Sequence, residues 1–428
     1  MKLLIKNGRV IDPANNLDDV RDILIENSRI SRVAKTINNG ADKTIDAAEK
    51  IVMPGLVDMH VHLRQPGRED KETIASGTRA ALKGGVTTLL AMPNTNPAID
   101  SVENIRLLQD IIGKTAVANV VICAAITEGR LGKVLALIAK FRKESVAAIS
   151  DDGSSVDSSA VFYKALRKAR ENKILVICHC EDKALSAAGV MNLGPVSTRL
   201  GLKGISSESE YKRVQRDIQL AEKAKASVHI CHVSTAESVE SIAKAKKKGI
   251  KVTCETAPHY FSLTEEALLD YDTNKKINPP LRSRADMEAV KEGLARGIID
   301  AIASDHAPHT ISDKDIEFDR AEFGVVGLET ELAAVITYLV LPGVLNWVEL
   351  VKKLSWNPAK ILGIDKGTLT PGRDADLIIV DPEKSWLVRK EDFISRSKNS
   401  AFIGANLKGV VEATILSGKI VYKQEIKG

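Results

Sequence analysis

The stretch Ile51-Val52-Met53-Pro54-Gly55-Leu56-Val57-Asp58-Met59-His60-Val61-His62-Leu63-Arg64 decides the fold that we predict for this chain. Its first part is rich in valine, isoleucine and leucine and ends in polar residues, which is typical of a buried strand that leads into a site. Side chains two positions apart in a strand lie on the same face, roughly 6–7 Å apart. His60 and His62 therefore face one point, where a divalent metal would explain the pair. The alternative is two ordinary polar strand residues, and an H-x-H pair alone does not decide between them.

The same unit of an apolar run, polar residues at its end and an amphipathic helical stretch repeats along the middle of the chain. The eight runs are residues 56–60, 86–91, 120–126, 146–149, 174–178, 228–231, 252–254 and 301–303. Eight such units predict an α/β fold, a (β/α)8 TIM barrel, whose active site forms where the carboxyl ends of the strands meet. An open doubly wound sheet is the alternative, but no G-x-G-x-x-G dinucleotide fingerprint follows the first strand.

The two ends of the chain differ from its middle. Short β-like pieces separated by turns fill residues 3–51, and similar pieces lie at 375–380 and 412–418. We therefore predict a small β-sandwich domain built from both termini, residues 1–52 and 365–428, with the barrel at residues 53–364.

Composition and charge narrow the class of protein. The chain has 428 residues, of which 44% are hydrophobic and 27% charged, as expected for a globular protein with a barrel and a minor domain. The net charge of +5 is small for this length, so nucleic acid is not expected as a partner. The start of the sequence does not resemble a signal peptide, and no apolar stretch reaches membrane-spanning length. We predict a cytoplasmic location and no membrane association.

The five cysteines lie in apolar runs and are predicted to be reduced core residues rather than disulfides. Cys178-His179-Cys180 suggests a zinc ligand set, but the alternation of strand faces directs His179 away from both sulfurs.

The histidines concentrate at the predicted strand ends. Six of the eight lie at or just beyond such an end, namely His60, His62, His179, His232, His306 and His309. We interpret the other two as structural. His229 is three residues before His232 and so faces the opposite side of its strand, and His259 follows Pro258 in a predicted loop.

Four histidines and two aspartates at one barrel mouth exceed what a single tetrahedral ion needs. We expect one ion at His60, His62 and Asp305, a second at His179 and His232, and Asp152 between them. Two ions about 3.5–4 Å apart lower the pKa of a bridging water and polarise a carbonyl oxygen, so that a metal-activated hydroxide attacks an amide carbon. Asp305 would accept the proton of the water and return it to the leaving nitrogen. Zinc is the favoured ion, with cobalt or manganese as alternatives.

Several motifs in consistent order along the whole chain resemble the amidohydrolase superfamily and, within it, the class I dihydroorotases of bacterial or archaeal type. The motifs are Pro54 to Arg64, Ala91-Met92-Pro93-Asn94-Thr95, Asp151-Asp152-Gly153, Cys178-His179-Cys180-Glu181, His229-Ile230-Cys231-His232-Val233-Ser234, Lys276 to Arg282, Ser304-Asp305-His306-Ala307-Pro308-His309, Phe323 to Glu329 and Pro371 to Leu377. The resemblance implies reversible cyclisation of N-carbamoyl-L-aspartate to L-dihydroorotate.

The resemblance also implies roles for single residues. It places the metal ligands at His60, His62, Asp152, His179, His232 and Asp305, with one or two zinc ions per subunit and Asp305 as the acid/base. The spacing of the family favours Asp152 over its neighbour Asp151, which remains an alternative. Many relatives bridge their metals with a carboxylated lysine, but this strand end has no lysine, so the chain resembles the subgroup with an aspartate bridge.

For the substrate, the resemblance implies that Arg64, Asn94 and His309 bind the carboxylate. It also implies that Asn278, Phe323 and Gly324 contact the edges of the ring, close to the metal ligand His62. A guanidinium suits a carboxylate because it donates two parallel hydrogen bonds. The alternatives are a surface ion pair for Arg64 and a turn residue for Asn94. The charged segment 310–320 after His309 is a candidate mobile lid.

Two other functions remain open at this stage. A hydantoinase or allantoinase would favour the lysine bridge and would not need Arg64. A catalytically silent barrel that scaffolds aspartate transcarbamoylase would be expected to lack metal ligands, whereas all six candidates are present. As partners we expect a small-molecule substrate, a second copy of the chain in a homodimer, and a complex with aspartate transcarbamoylase.

Overall fold

The strands lie where the apolar runs of the sequence predict them. The structure is a computed structural model and describes residues 2–38 and 40–424. In chain order the strands are β1 Lys2–Asp12, β2 Leu17–Glu26, β3 Arg29–Ala34, β4 Lys43–Asp46, β5 Ile51–Pro54, β6 Leu56–Val61, β7 Val86–Ala91, β8 Asn119–Ala124, β9 Ala148–Ile149, β10 Leu175–Cys178, β11 Met191–Asn192, β12 Gly204–Ile205, β13 Val228–Ile230, β14 Val252–Thr256, β15 Ala301–Ile302, β16 Leu377–Leu387, β17 Asn406–Leu416 and β18 Lys419–Lys423. Each of the eight middle runs contains a strand.

These eight strands form one parallel sheet. Its order is β6-β7-β8-β9-β10-β13-β14-β15, and each strand pairs with its neighbour in parallel. A parallel bridge between Val61 and His306, which follows β15, brings the two edges together. Across it the backbone N–H of His62 donates to the carbonyl oxygen of His306 at 2.9 Å. The predicted (β/α)8 barrel is confirmed.

The buried side chain of Asp58 on β6 also links β6 to the residues that follow β15. Its carboxylate accepts hydrogen bonds from the backbone N–H groups of His60 at 3.0 Å and Ser304 at 3.2 Å, and from the Ser304 hydroxyl. Burial raises the pKa of Asp58 to about 6, although these donors oppose the shift. The first strand and the residues after the last strand are thus held together next to the metal-ligand candidates.

Helices surround the barrel in the order that the sequence predicts. They are α1 Ile74–Lys83, α2 Val102–Thr115, α3 Ile138–Phe141, α4 Ser159–Asn172, α5 Lys183–Ser186, α6 Pro195–Leu200, α7 Glu208–Ala224, α8 Ala236–Lys247, α9 Pro258–Ser262, α10 Arg284–Ala295, α11 Ile311–Lys314, α12 Glu331–Val335, α13 Trp347–Val351 and α14 Asn357–Leu362. The helices α12 and α13 continue into π-helical turns at Ile336–Val340 and Lys352–Trp356.

Serine and threonine caps fix the starts of five barrel helices. Each cap side chain accepts a hydrogen bond from the backbone N–H three residues later, and the caps are Thr73 of α1, Ser101 of α2, Ser158 of α4, Thr235 of α8 and Ser283 of α10. A fixed helix start sets the length of the loop before it. The loop that carries His232, for example, ends at Thr235.

The two ends of the chain meet in one eight-stranded mixed sheet. Its order is β18-β17-β16-β5-β1-β2-β3, and β4 pairs with β1. Alternate residues of β16 face opposite sides, as the two-residue period of a strand requires. Leu377 and Ile379 pack in the core of this sheet, whereas Ile378 and Val380 pack in the barrel cluster. A small β domain from both termini is therefore confirmed.

The boundaries of the two domains stay a prediction. Pairing of β5 with β16 supports a first boundary near residue 52, since β5 ends at Pro54. Within the part of the chain that the structure describes, we find no helix both long and apolar enough to cross a membrane. All five cysteines are buried and free, in agreement with reduced core residues.

Close packing at the end of α1 gives a stability test. A Cβ at Gly84 would lie 1.9 Å from the carbonyl oxygen of Leu328, whereas a Cβ at Gly113 in α2 would meet no atom within 4 Å. Gly84→Ala should lower the free energy of unfolding by about 1–3 kcal/mol, because backbone must move to make room. The matched control Gly113→Ala should raise it by about 0.5–1 kcal/mol, because alanine favours the helix. Thermal and denaturant unfolding measure both changes, and equal effects at the two sites would contradict the packing argument.

Candidate metal centre and active site

Asp152 lies at the centre of four histidines from different strand ends. Its carboxylate oxygens are 3.3 Å from His60 Nε2, 3.4 Å from His62 Nε2, 3.5 Å from His179 Nδ1 and 3.7 Å from His232 Nε2. Each of these side chains is at most 6% exposed. The barrel therefore brings together residues that are far apart in the sequence, as the strand-end pattern predicts.

Asp305 completes the group from the last strand. Its Oδ1 is 3.5 Å from His62 Nε2 and 3.7 Å from His60 Nε2. Asp305, His232 and Arg64 all have positive φ, at 48°, 35° and 62°. Non-glycine residues rarely adopt this backbone conformation, and it often occurs where a side chain is aimed into a site.

The two adjacent aspartates have different surroundings. Asp151 Oδ1 accepts the backbone N–H groups of Ile126 at 2.8 Å and Thr127 at 3.0 Å, and its other oxygen accepts the Thr127 hydroxyl. Asp152 instead faces the histidines. Of the two alternatives, the geometry favours Asp152 as the bridging carboxylate, and its role as a ligand stays a prediction.

Acceptors at the outer side of the histidines fix which ring nitrogen faces inward. Glu255 Oε1 lies 2.9 Å from His60 Nδ1, and Asn94 Oδ1 lies 2.8 Å from His62 Nδ1. An imidazole that donates from Nδ1 carries a lone pair on Nε2, which here points to the aspartates. Asn94, for which we predicted a contact with the substrate, is thus engaged through its oxygen and keeps its amide N–H groups for other partners.

Glu181 is the acceptor on the outer side of His179. Its Oε2 lies 3.3 Å from His179 Nε2 and 3.2 Å from Asn278 Nδ2. Burial would raise the pKa of Glu181, but its contacts with His179 outweigh burial and lower the pKa to about 2. As an anion Glu181 accepts from Nε2, so that Nδ1 of His179 faces Asp152. Asn278, predicted to contact the ring, lies beside the predicted ligands.

The pocket fits a divalent metal. His60 Nε2 and Asp152 Oδ1 lie 3.3 Å apart, are buried and have no hydrogen-bond partner in the described ranges 2–38 and 40–424. Ligand atoms of His60, His62 and Asp305 all lie within 4.8 Å of one another. Burial lowers the pKa of a histidine, yet Asp152 and Glu181 raise that of His179 to about 9, so the pocket favours positive charge.

A second group of possible ligands differs from the predicted one. Within 4.8 Å of one another lie ligand atoms of His60, Asp152, His232 and Cys231, the last of which we predicted only as a core residue. Burial raises the pKa of the Cys231 thiol well above its usual value. His179, which we assigned with His232 to the second ion, has its Nδ1 2.9 Å from His232 Nε2. That assignment stays a prediction.

Arg64 and His309 lie together beside the metal-ligand candidates. Arg64 Nε donates to the Pro308 carbonyl at 3.1 Å, and its Nη2 lies 3.3 Å from His309 Nε2. The same Nε2 lies 2.8 Å from the carbonyl oxygen of Phe323. Burial lowers the pKa of Arg64 to about 10, which leaves it charged at neutral pH. The geometry does not support the alternative of a surface ion pair for Arg64.

The backbone of Phe323 and Gly324 is engaged within the protein. The Gly324 N–H donates to the Lys276 carbonyl at 2.9 Å, and the Gly324 carbonyl accepts from Asn399 Nδ2 at 3.0 Å. Asn399 Oδ1 also accepts the His309 N–H at 3.1 Å. One side chain from the C-terminal part of the chain therefore positions the loops of both His309 and Gly324. The predicted contact of Phe323 and Gly324 with the ring stays a prediction.

The segment 310–320, our candidate lid, is docked on the barrel by a buried lysine in α11. Lys314 Nζ donates to the carbonyl oxygens of Thr273 at 2.9 Å, Lys276 at 3.2 Å and Glu322 at 2.6 Å. Burial lowers the pKa of Lys314 to about 7. Whether the segment moves stays a prediction.

The two histidines interpreted as structural lie outside the ligand group. His229 Nδ1 is 2.8 Å from Thr253 Oγ1, and its Nε2 is 3.2 Å from Glu255 Oε2. His259 is buried, and burial lowers its pKa to about 4. Its prediction in a loop is wrong, because Pro258 begins the short helix α9. Proline is favoured at the first helical position, and this was the overlooked signal.

Comparison with known proteins adds the family. Residues 49–238 match the dihydro-orotase-like family, and residues 154–422 match the amidohydrolase family. A dihydroorotase of Elusimicrobium minutum is 54% identical over 420 residues, which are 98% of this chain and 97% of that protein. A dihydroorotase of Pelotomaculum thermopropionicum is 49% identical over 426 residues, which are 100% of each. The chain belongs to the dihydroorotase family of amidohydrolases.

Solved structures show the same architecture. An L-hydantoinase (dihydropyrimidinase) from Arthrobacter aurescens is similar with a TM-score of 0.89 and 26% identity, over 98% of this chain and 96% of that one. A D-hydantoinase is similar with a TM-score of 0.87 and 25% identity, over 99% and 95%. Membership of the dihydroorotase family makes the chain a cyclic amidohydrolase.

Four residues of this dihydroorotase-family site were not assigned from the sequence. They are Lys71, Glu181, Glu255 and Asn399. The strand-end rule would have found Glu255, which directly follows the seventh apolar run, and Glu181, which lies two positions after His179. Lys71 and Asn399 lie in irregular segments, where no period marks the direction of a side chain.

Glu255 gives a test of the metal centre that does not depend on turnover. Burial would raise its pKa, but hydrogen bonds with His229 and His60 lower it to about 2, so Glu255 is an anion. Glu255→Gln should weaken zinc binding about 10- to 100-fold, because the partner that orients His60 loses its charge. Competition against a chromogenic chelator measures the affinity.

A second buried glutamate provides the control for this variant. Glu265 accepts from Asn192 Nδ2 at 2.9 Å and is not in either ligand group. Glu265→Gln should bind zinc like the unmodified protein. Unchanged zinc affinity in Glu255→Gln, with the fold intact by circular dichroism, would show that Glu255 does not support the metal.

Proposed function

We propose that the chain is a dihydroorotase, which closes N-carbamoyl-L-aspartate to L-dihydroorotate in de novo pyrimidine (UMP) synthesis and opens the ring in reverse. The observation that carries this proposal is a charged guanidinium next to an imidazole, beside the metal-ligand candidates. Arg64 and His309 lie 3.3 Å apart, next to the loop of Asp305. A cyclic amide alone would need no such pair, but dihydroorotate carries a carboxylate next to its ring.

The residues suggest how the reaction proceeds. In ring opening, the oxygen of water bonds to the amide carbon, the C–N bond breaks and the nitrogen takes a proton. A bound divalent metal lowers the pKa of water and polarises the carbonyl oxygen. Asp305 accepts the proton from water and donates it to the nitrogen, and ring closure reverses these transfers.

The state of Asp305 suits this role. Burial would raise its pKa, but the contact with His62 and the charge of His60 outweigh burial and lower the pKa below the usual range. Asp305 is therefore an anion before the reaction and acts first as a base in ring opening. Its Oδ1 lies 3.5 Å from His62 Nε2, so the proton acceptor is fixed beside the metal-ligand candidates.

We propose zinc as the metal, with one or two ions per subunit, because imidazole and carboxylate ligands suit it. His60, His62 and Asp305 would hold the first ion, and His179, His232 and the bridging Asp152 the second. A cytoplasmic location is proposed because all five buried cysteines are free thiols. A homodimer and a complex with aspartate transcarbamoylase remain predictions from the resemblance, and light scattering of the chain alone and mixed with that enzyme tests them.

Hydantoinase activity is the alternative function, since the similar solved structures include hydantoinases at 25–26% identity. Ring opening of dihydroorotate, hydantoin and allantoin should be measured on one sample of known metal content. The proposal requires dihydroorotate to be strongly preferred. Preference for hydantoin or allantoin would replace it, and absence of all three activities in metal-loaded protein would favour a scaffolding role.

Replacement of Asp305 tests the acid/base role. Asp305→Asn should lower kcat by about 10²–10⁴-fold, because the amide does not accept the proton. Asp300→Asn is the matched control, because Asp300 lies at the opposite end of β15 and binds Lys246 at 2.6 Å. Kinetics and metal content are measured together. Near-normal kcat in Asp305→Asn would remove this residue from the proposed chemistry.

Replacement of Arg64 tests the carboxylate site. Arg64→Met should raise KM for dihydroorotate by about 10- to 100-fold, because a charge-assisted hydrogen bond is lost. KM for a neutral cyclic imide should change little. Arg68→Met, which removes an exposed arginine paired with Asp70 at 3.1 Å, is the control. An equal rise for charged and neutral substrates would contradict the assignment of Arg64 to the carboxylate.

A further inference from the structure

A buried lysine with no role in the proposed chemistry lies behind His309. The Lys71 side chain is 4% exposed, and its Nζ is 2.9 Å from His309 Nδ1. Its other close partner is Asp313 of α11, with Oδ2 at 3.2 Å. Asp313 is itself fixed, because it accepts the Thr310 N–H at 2.8 Å.

The backbone around Lys71 is also fixed. The Lys71 N–H donates to the Arg68 carbonyl at 3.0 Å, and the Lys71 carbonyl accepts the Ser397 hydroxyl at 2.6 Å. The backbone of Lys71 is therefore fixed on both sides of a side chain whose ammonium group contacts His309 and Asp313. Such a built contact between a buried lysine and a histidine needs a reason, because burial disfavours the charge of the lysine.

The contact determines the proton position on His309. An ammonium group has only donors, so His309 Nδ1 must accept from Lys71. A neutral imidazole with an accepting Nδ1 carries its proton on Nε2, which matches the 2.8 Å contact of Nε2 with the Phe323 carbonyl. The charges around His309 agree with a neutral ring. Burial first, and then Arg64, Lys71 and Lys314, lower its pKa well below the usual value, and Asp313 Oδ2 lies 3.8 Å from Nδ1.

With this tautomer, two donors face each other. His309 Nε2 and Arg64 Nη2 lie 3.3 Å apart, and because both carry a proton they do not hydrogen-bond to each other. The Nε2–H of His309 donates to the Phe323 carbonyl. An anionic oxygen beside the two nitrogens would accept from Arg64 and, in place of that carbonyl, from His309. With the opposite tautomer, Nε2 would accept from Arg64, and both groups would satisfy each other instead of a ligand.

We infer that Lys71 is a positioning residue that holds His309 in its Nε2–H tautomer, so that His309 and Arg64 present two donors to a carboxylate. The identity of this carboxylate, that of the ring substrate, rests on the proposed function. The tautomer itself does not. Lys71 thus determines whether Arg64 and His309 both donate to an anion or hydrogen-bond to each other.

The first experiment reads the tautomer in the metal-loaded protein. With ¹⁵N-labelled histidine, long-range proton–nitrogen spectra distinguish a protonated nitrogen from a bare one, and His309→Gln identifies the signals. The expected result is an Nε2–H tautomer in the unmodified protein. Lys71→Met should populate the Nδ1–H tautomer. An Nδ1–H tautomer or an imidazolium in the unmodified protein would overturn the inference, whatever the substrate.

A matched variant separates this effect from the loss of any buried lysine. Lys353 is also buried, and its Nζ donates to the Ile299 carbonyl at 2.7 Å, at the opposite end of β15 from Asp305. Lys353→Met should leave the His309 signals unchanged. The same change of tautomer in both variants would overturn the inference, because it would reflect general destabilisation.

The second experiment reads the consequence for the substrate. Lys71→Met should raise KM for dihydroorotate about 10- to 100-fold and change kcat less than about threefold, because the reacting atoms lie at Asp305 and the metal. An unchanged KM together with a changed tautomer would overturn the link to the carboxylate. If the unmodified protein does not open dihydroorotate, the proposed function fails, and the tautomer measurement still decides the role of Lys71.

Discussion

Closure of the barrel between β6 and the residues after β15 is the constraint on which the site depends. Asp58 and Ser304 are 246 positions apart, and Asp58 binds the backbone and side chain of Ser304 within a fully buried seam. The backbone bond from His62 to His306 continues the same seam outward. Because Asp305 lies between Ser304 and His306, closure alone places it beside His60 and His62. A barrel left open at this edge would keep its histidine pair but would lose Asp305, the sixth ligand candidate and the proposed acid/base, from beside them.

Charge then explains why this mouth suits a cation. Imidazole lone pairs and carboxylate oxygens converge there, and they repel one another unless a proton or a metal lies between them. Glu181 and Glu255, on the outer side of the histidines, strengthen the preference for a cation. They accept the outer N–H groups of the imidazoles and leave only acceptors facing the pocket. Binding energy of a metal would therefore also be folding energy for the loops that carry these residues. A few residues away the signs are reversed, because Arg64, Lys71 and Lys314 surround His309 and lower its pKa.

Much of the fold follows from local pattern, whereas parts of the site do not. Apolar runs mark all eight barrel strands, because a parallel strand covered on both faces needs a continuous apolar stretch. Residues at the ends of these runs, such as His60 and His179, could be located because strands end at one rim. The distinction between Asp151 and Asp152 could not be derived this way, since β9 ends at Ile149 and both lie in a turn. Lys71 and Asn399 act through contacts between irregular segments, whose geometry is set by the whole molecule rather than by neighbouring sequence.

The two contacts of the Asn399 side chain link the C-terminal part of the chain to the loops of His309 and Gly324. Every metal-ligand candidate lies at or before Asp305, whereas Ser397, which binds the Lys71 carbonyl, and Asn399, which binds the His309 N–H and the Gly324 carbonyl, follow much later in the chain. A chain that ended before residue 397 would therefore contain all six metal-ligand candidates but would lack the contacts that hold the backbone of Lys71, His309 and Gly324.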